Sequence, residues 1–303
     1  MQQRPFKQVD VFTATPYFGN PLAVVLDGSG LDDAAMQRFA RWTNLSETTF
    51  VLPPTQSTAD YRLRIFTPGG ELPFAGHPTL GSCHAWLESG GIPKSKEFIV
   101  QECAKGLINI RRDASGAQLA FAAPILTRSA PSPVVLSQVA SALGMKAAQI
   151  TAAQLLDNGP VWLGLLLDAP ETVLQLLPNH QELAKLNVKV GVASIYASPS
   201  SALIARANRE AKAFTQNAAD PVPDLEVRAF AACTGINEDP VTGSLNASLA
   251  QWLMADGFMA EHYTASQGVC MGRAGQVNLQ KDAQGQVWVG GQSVTCMSGT
   301  VTL

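Results

Sequence analysis

ELPFAGHPTLGSCHAWLESGG, running from Glu71 to Gly91, is a unit that the chain uses twice. Glu238, Pro240, Gly243 and Gly257 follow Glu71, Pro73, Gly76 and Gly90 by 167 residues each. Both copies read Glu-x-Pro-x-x-Gly, then an apolar run, then Gly. The runs predict helices over Thr79 to Ser89 and Ser244 to Met254. The first glycine lets backbone approach another group, and the closing glycine suits a helix C-terminus. A helix start presents N–H groups without intrahelical acceptors, and its partial positive charge favours an anion. Two such units imply two half-sites facing one cleft and sharing a small anionic molecule, most simply a carboxylate.

The repeat extends upstream. Arg64-Ile65-Phe66 and Arg228-Ala229-Phe230 occupy equivalent places with an offset of 164, and three inserted residues restore the spacing of 167. At roughly 150 residues per domain, 303 residues make two domains, each large enough for its own core. The expected boundaries are 1–125, joined by the C-terminal strand (about 290–303), and 126–289. Pro124 to Pro133, with its prolines and serines, reads as the linker.

Composition bounds the function. With 46% hydrophobic and 15% charged residues, the chain has the balance of a soluble globular protein. No segment reaches the roughly 18 apolar residues that a membrane span needs. A net charge of −3 supplies no basic field for nucleic acid. MQQRPFKQVDVF lacks the apolar core of a signal peptide and reads as the start of a strand, so a cytoplasmic protein is expected. The cysteines Cys83, Cys103, Cys233, Cys270 and Cys296 are odd in number and widely spaced, with no C-x-x-C pair. Neither they nor His77, His84, His180 and His262 have a metal-ligand spacing, so no structural metal is expected.

Period and punctuation give the elements. Phe6 to Phe12 alternates like a half-buried strand, and the Gly19-Asn20-Pro21 turn leads into the apolar run Leu22 to Leu26. Leu31 to Trp42 has helical spacing, with Ser29 or Asp32 as N-cap and an end before Asn44. Thr48 to Leu52 is a strand with Glu47 at its entrance. Tyr61 to Phe66 is a further strand, followed past Gly91 by short ones at Phe98 to Gln101, Leu107 to Arg111 and Leu119 to Phe121. The second half reads as a helix Val134 to Leu143, a strand Val161 to Leu167, a helix Glu171 to Leu177, and strands at Val190 to Tyr196 and Leu225 to Phe230. Ser200 to Lys212 is Ala-rich and reads as helix or loop. One helix beside several short strands is an α+β pattern rather than an alternating one.

The chemistry must come from side chains around the two helix starts. Candidates are Glu47, His77 and Asp239, with Ser244 as a hydroxyl donor. A carboxylate in a dry cleft has a raised pKa, so near neutrality it can remove a proton from carbon and return one, which is isomerase or epimerase chemistry. Each candidate also has a bland reading. Glu47 could be a solvated strand end, His77 could donate to a turn carbonyl, and Glu238 or Asp239 could simply cap the helix that begins near Thr242. There is no G-x-x-x-x-G-K-[ST], no strand followed by G-x-G-x-x-G and no G-x-S-x-G, so nucleotide-dependent and serine-hydrolase readings lack support.

Five stretches together resemble the PhzF-like family of phenazine biosynthesis, which has the diaminopimelate epimerase fold. They are VDVFTATPYFGNPLAVVL, NLSETTFVLPP, RIFTPGGELPFAGHPTLGSCHAWL, RAFAACTGINEDPVTGSLNASLAQWL and SQGVCMGRAG. The resemblance implies two similar domains related by pseudo-two-fold symmetry, each a rolled mixed β-sheet around a central helix, with the active site between them and a homodimeric assembly. It implies that Glu47 of the N-L-S-E-T stretch shuttles a proton without any cofactor, supported by His77 and Asp239. Ser46, Gly76, Thr242, Gly243 and Ser244 then form the substrate-binding set. The family reaction isomerises trans-2,3-dihydro-3-hydroxyanthranilate by moving a hydrogen from C3 to C1.

Amino-acid epimerases of the same fold use two opposed cysteines, one before each glycine. Here those places hold Ala75 and Thr242, and Cys83 and Cys233 lie too far along the chain to be equivalent. A one-carboxylate proton shift therefore fits better than two-thiol racemisation. The chain also departs from the family's usual Arg-[Met/Val]-Phe-Ala-Pro, reading Arg228-Ala229-Phe230-Ala231-Ala232-Cys233, which leaves the pocket wall and the substrate open. An epimerase or racemase, and a non-catalytic protein that binds small carboxylates, stand as the alternatives.

Overall fold

The structure is a computed structural model that describes residues 1–113, 116–196 and 223–303; Ser200 to Lys212 lies outside the described residues. The chain divides into two compact units, Met1–Ala122 with Gly290–Leu303, and Ala123–Val289.

The first unit is a closed ring of strands around a helix. Strand β1 (Gln3–Val11) pairs antiparallel with β2 (Asn20–Val25), which runs parallel to β3 (Thr48–Leu52). β3 pairs antiparallel with β4 (Tyr61–Phe66), whose far edge carries the short β5 (Glu71–Leu72) and the parallel β6 (Ile99–Cys103). β7 (Gly106–Arg112) and β8 (Gln118–Ala122) continue the sheet, and the final strand, Val287–Thr302, pairs with both β8 and β1. A ring leaves no open edge for another chain to pair with.

Helix α1 (Asp33–Thr43) lies outside this ring and α2 (Gly76–Glu88) inside it. Asp32 caps α1 by accepting from the Ala35 N–H, and Asn44 ends it in the left-handed region at φ 54°. Strand residues alternate between the two helices. Val25, Phe50 and Phe66 pack with Met36, Phe39 and Ala40 of α1, while Leu22 faces α2 at Gly81. Coverage on both faces explains why Leu22 to Leu26 is a continuous apolar run. A helix enclosed by a narrow ring must be thin, hence Gly81, Ser82, Cys83 and Ala85, all buried. Its buried hydroxyls are satisfied: Ser82 bonds Thr49 at 2.8 Å, and Thr79 accepts from Gln101 at 3.0 Å.

The second unit follows the same reasoning. β9 (Thr127–Ser129), β10 (Ile150–Asp157) and β11 (Val161–Leu167) pair antiparallel in turn, and β11 runs parallel to β12 (Lys189–Ile195). β13 (Leu225–Ala231) pairs antiparallel with β12 and with β14 (Ile236–Asp239), and parallel with β15 (His262–Gln267), which pairs with β16 (Gly275–Lys281). Helices α3 (Pro133–Ala142), α4 (Pro170–Gln175) and α5 (His180–Lys185) cover one face through Leu163, Leu165, Val190 and Val192. On the other face lies α6 (Gly243–Ala255). Gly164 and Gly191 are register partners, and a Cβ on Gly191 would stand 2.2 Å from Leu245 of α6. These glycines admit the helix.

Several expectations need correction. The stretch taken as a linker contains β9, because Thr127 to Ser129 finds the free edge of β10. Both central helices begin earlier than their apolar runs suggest: α2 at Gly76 and α6 at Gly243, since Gly-His-Pro and Gly-Ser occupy first-turn positions. β10 and α5 were not expected at all. β10 is half-buried and lacks clean alternation, and α5 is one turn and a half held by its Asn179 cap.

Candidate active site

The two central helices span Gly76–Glu88 and Gly243–Ala255, so their bounds keep the 167-residue offset at both ends. Neither start has a side-chain cap. Thr79 N–H makes the first bond of α2, to Ala75 O at 3.2 Å, and Asn246 N–H the first of α6, to Thr242 O at 3.1 Å. The N–H groups of Gly76, His77, Gly243 and Ser244 precede those first bonds, as an anion site requires.

In the first unit, Glu47 stands at the corner between α1 and β3. Thr43 Oγ1 donates to Ala40 O, so its 2.8 Å contact with Thr48 Oγ1 is donated by Thr48, and this pair braces both sides of the corner. Glu47 Oε2 lies 3.4 Å from His77 Nε2, with 13% of the Glu47 side chain and 6% of the His77 side chain exposed. Burial lowers His77 to about 3, so the ring is neutral near pH 7. Asn20, fully buried, directs its amide nitrogen at Nδ1 from 3.5 Å, the outer limit of a hydrogen bond. With Nδ1 accepting, Nε2 carries the ring proton; it lies 3.4 Å from Glu47 Oε2 without making a hydrogen bond to it. The turn that leads into Asn20 is tied to β1, since Gly19 N–H donates to Asp10 Oδ2 at 2.9 Å. Ser46 lies beside Glu47, half-buried, and Gly76 is buried.

The second unit builds a different set on its helix start. Thr242 Oγ1 donates to Asp239 Oδ2 at 2.6 Å. Ser244 Oγ accepts from the Trp162 indole N–H at 3.1 Å, which leaves its own hydroxyl hydrogen to donate. Asn158 fixes the backbone at the same place by donating to Ser244 O at 3.0 Å. Neither Glu238 nor Asp239 caps the helix: Asp239 takes the Thr242 hydroxyl, and Glu238 forms a two-pronged pair with Arg228 at 2.8 and 2.9 Å. Glu71 pairs with Arg64 in the same way at 2.7 and 2.6 Å. In both units the arginine also lies 5.0 Å over a phenylalanine ring, Phe66 or Phe230. The glutamate of the repeated motif thus braces the turn that leads to the helix, a structural task.

A family model described as phenazine biosynthesis-like protein, PhzC-PhzF, matches residues 9–299. The chain belongs to the PhzC-PhzF family. It is 36% identical over 99% of both chains to the Schizosaccharomyces pombe protein called Antisense-enhancing sequence 1. It is 30% identical to the Pseudomonas fluorescens trans-2,3-dihydro-3-hydroxyanthranilate isomerase, over 97% of this chain and 98% of that one. Among solved structures, a Bacillus anthracis PhzF-family protein superposes with a TM-score of 0.80, covering 100% of each chain at 22% identity, a likeness of fold.

This PhzF-family chain brings Glu47 and His77 together, and Asp239 with Thr242, each pair within its own unit. Sequence reasoning missed Asn20 and Gln267, both fully buried at these sites. Their signal was a polar residue at the head or foot of a buried strand, where a side chain without a partner would be costly. The positions that carry thiols in epimerases are the N-caps Ala75 and Thr242. Cys83 is fully buried in mid-helix and its thiol is pushed up to about 12, so no thiolate forms there near neutrality. Among the described residues no cluster of His, Cys, Asp and Glu is placed to hold a metal, and no helix is long and apolar enough to cross a membrane.

Proposed function

We propose that this protein is a cofactor-independent isomerase that moves a proton between two carbons of a small carboxylate, as in the reaction named for the Pseudomonas fluorescens relative. The observation that carries this reading is the Glu47–His77 pair, 3.4 Å apart at the start of a buried helix. Glu47 takes the proton from C3 and returns it to C1 while the double bond shifts between them, so atoms and charge balance without an external oxidant or base. Neutral His77 donates from Nε2 to a substrate polar atom that gains negative charge during the transfer, as neutral imidazoles do in other enolising sites. Asp239 arranges a proton on the substrate's amino or hydroxyl group. Gly76, Gly243 and Ser244 supply N–H and O–H donors to the carboxylate, with Ser46 and Thr242 as further contacts. The same reading has both half-sites serve one substrate in a cytoplasmic homodimer, whose assembly analytical ultracentrifugation measures.

The test uses trans-2,3-dihydro-3-hydroxyanthranilate in deuterated water, with wild type and Glu47→Gln compared by substrate loss and label uptake. Turnover that falls by about a hundredfold to ten-thousandfold in the variant is expected for a lost acid/base group. Undiminished turnover by Glu47→Gln would remove the carboxylate shuttle. Tight binding by the wild type without hydrogen exchange at any carbon would favour the non-catalytic alternative. The buried Cys83 and the absence of thiols at both N-caps weigh against a two-thiol racemase.

A further inference from the structure

We propose that Gln267 is a positioning residue that fixes the direction of the Thr242 hydroxyl and so holds Asp239 as a proton acceptor; this rests on Asp239 having the role given above. Gln267 is fully buried at the C-terminal end of β15. Its Nε2 donates to the backbone carbonyl of Asp239 at 3.0 Å, and its Oε1 accepts from the backbone N–H of Thr242 at 3.0 Å. A carbonyl can only accept and an N–H can only donate, so the two backbone groups settle which end of the amide is which. The second hydrogen of the same Nε2 reaches Thr242 Oγ1 at 3.0 Å. Thr242 Oγ1 therefore accepts from Gln267, and its single hydrogen goes to Asp239 Oδ2 at 2.6 Å. Donation into Oδ2 stabilises the ionised carboxylate, so Asp239 faces the substrate as a hydrogen-bond and proton acceptor and not as a neutral acid.

Comparison of the two repeats separates this task from a merely structural one. Each unit has a buried glutamine on the strand parallel to the arginine-bearing one, Gln101 on β6 beside β4 and Gln267 on β15 beside β13. Gln101 donates to Thr79, and Gln267 Oε1 accepts from Asn246, which stands 167 residues after Thr79. That shared contact anchors the central helix in both units. The contact to Thr242 Oγ1, and through it to the Asp239 carboxylate, has no counterpart in the first unit, where the equivalent places hold Ala75 and Leu72. Gln101 spends its carbonyl oxygen on Tyr61 instead, at 3.1 Å. The relay belongs to the half-site, not to the scaffold.

Four variants test it: Thr242→Ser, Thr242→Val, Gln267→Leu and Glu47→Gln, with folding of each checked by circular dichroism and thermal melting. In the isomerase assay, Thr242→Val and Gln267→Leu are expected to lose roughly tenfold to a hundredfold in kcat with KM changed much less, and Thr242→Ser, which keeps the hydroxyl, to recover part of the kcat that Thr242→Val loses. Normal kcat in both Thr242→Val and Gln267→Leu overturns the proposal, provided that Glu47→Gln is inactive. An active Glu47→Gln sinks the reaction scheme instead. A second measurement needs no turnover. The Thr242 hydroxyl proton, observed by NMR in the wild type, is expected to exchange with water at least about tenfold faster in Gln267→Leu, because the hydroxyl is then free to rotate. An unchanged exchange rate overturns the proposal whatever the substrate is.

Discussion

Glu47 Oε2 and His77 Nε2 stand 3.4 Å apart, yet burial holds the imidazole neutral, at about 3, instead of letting it become the carboxylate's charged partner. Stability depends on pH as a result. Unfolded histidine titrates near 6.5, so below that pH the unfolded chain takes up a proton that the native ring refuses. The contribution of the buried neutral ring is complete above 6.5 and declines toward 3 as pH falls, by about 1.4 kcal/mol per pH unit. Urea denaturation at pH 7 and about pH 4.5 is expected to show the wild type losing about 2 to 3 kcal/mol more than His77→Gln. Equal losses in the two proteins contradict the assignment.

Asn20 sets which nitrogen of that ring carries the proton. Removing its amide with Asn20→Leu keeps a buried side chain of similar size but leaves Nδ1 without its directing donor. The isomerase kcat is expected to drop by roughly tenfold to a hundredfold through misorientation of His77, with KM little altered. A normal kcat in a folded Asn20→Leu protein removes Asn20 from the site.

The two arginine–glutamate pairs look alike in sequence and differ in energetic weight. Arg228 is 5% exposed and Glu238 12%, whereas Arg64 is 17% exposed and its partners Glu71 and Asp33 are 36% and 83% exposed. Deleting Glu238 leaves a desolvated guanidinium held by Glu238 and the Val173 and Leu176 carbonyls without its counter-charge. Glu238→Gln should cost about 3 to 5 kcal/mol, and Glu71→Gln about 1 kcal/mol or less. Denaturant titration of both variants measures the gap. Similar losses would mean that burial does not separate the pairs.

Much of this was legible in the sequence because the signals were local. The repeat of 167 residues located both central helices, Thr48 to Leu52 and Val161 to Leu167 read as strands over their full length, Asn44 marked the end of α1, and Asp32 was one of two caps the sequence offered for its start, with Ser29. What escaped depended on contacts distant in sequence. Asn20 meets His77 across 57 residues, and Gln267 meets Thr242 across 25. Their polar character became meaningful only once their strands were known to be buried. β9 escaped because three residues between prolines carry no period, and only the edge of β10 makes them a strand. The first turn of α2 escaped because Gly76, His77 and Pro78 are poor helix formers outside the apolar run that begins at Thr79.

Gly81 shows how tightly the ring closes on α2, and it yields the sharpest packing test. A Cβ there would come within 2.7 Å of both Leu22 Cδ2 and Val11 Cγ2, two fully buried side chains on β2 and β1. Gly81→Ala gains about 1 kcal/mol of helix propensity. It also overpacks the interior at a cost of about 1 to 3 kcal/mol, so net destabilisation of about 1 kcal/mol is expected. Leu22→Val removes one of the two clashing atoms. The double variant should therefore be more stable than the sum of the single changes predicts, by about 1 kcal/mol in a double-mutant cycle followed by denaturant unfolding. Strict additivity would show that Leu22 does not meet the new methyl group, and the close enclosure of α2 by the strands would have to be abandoned.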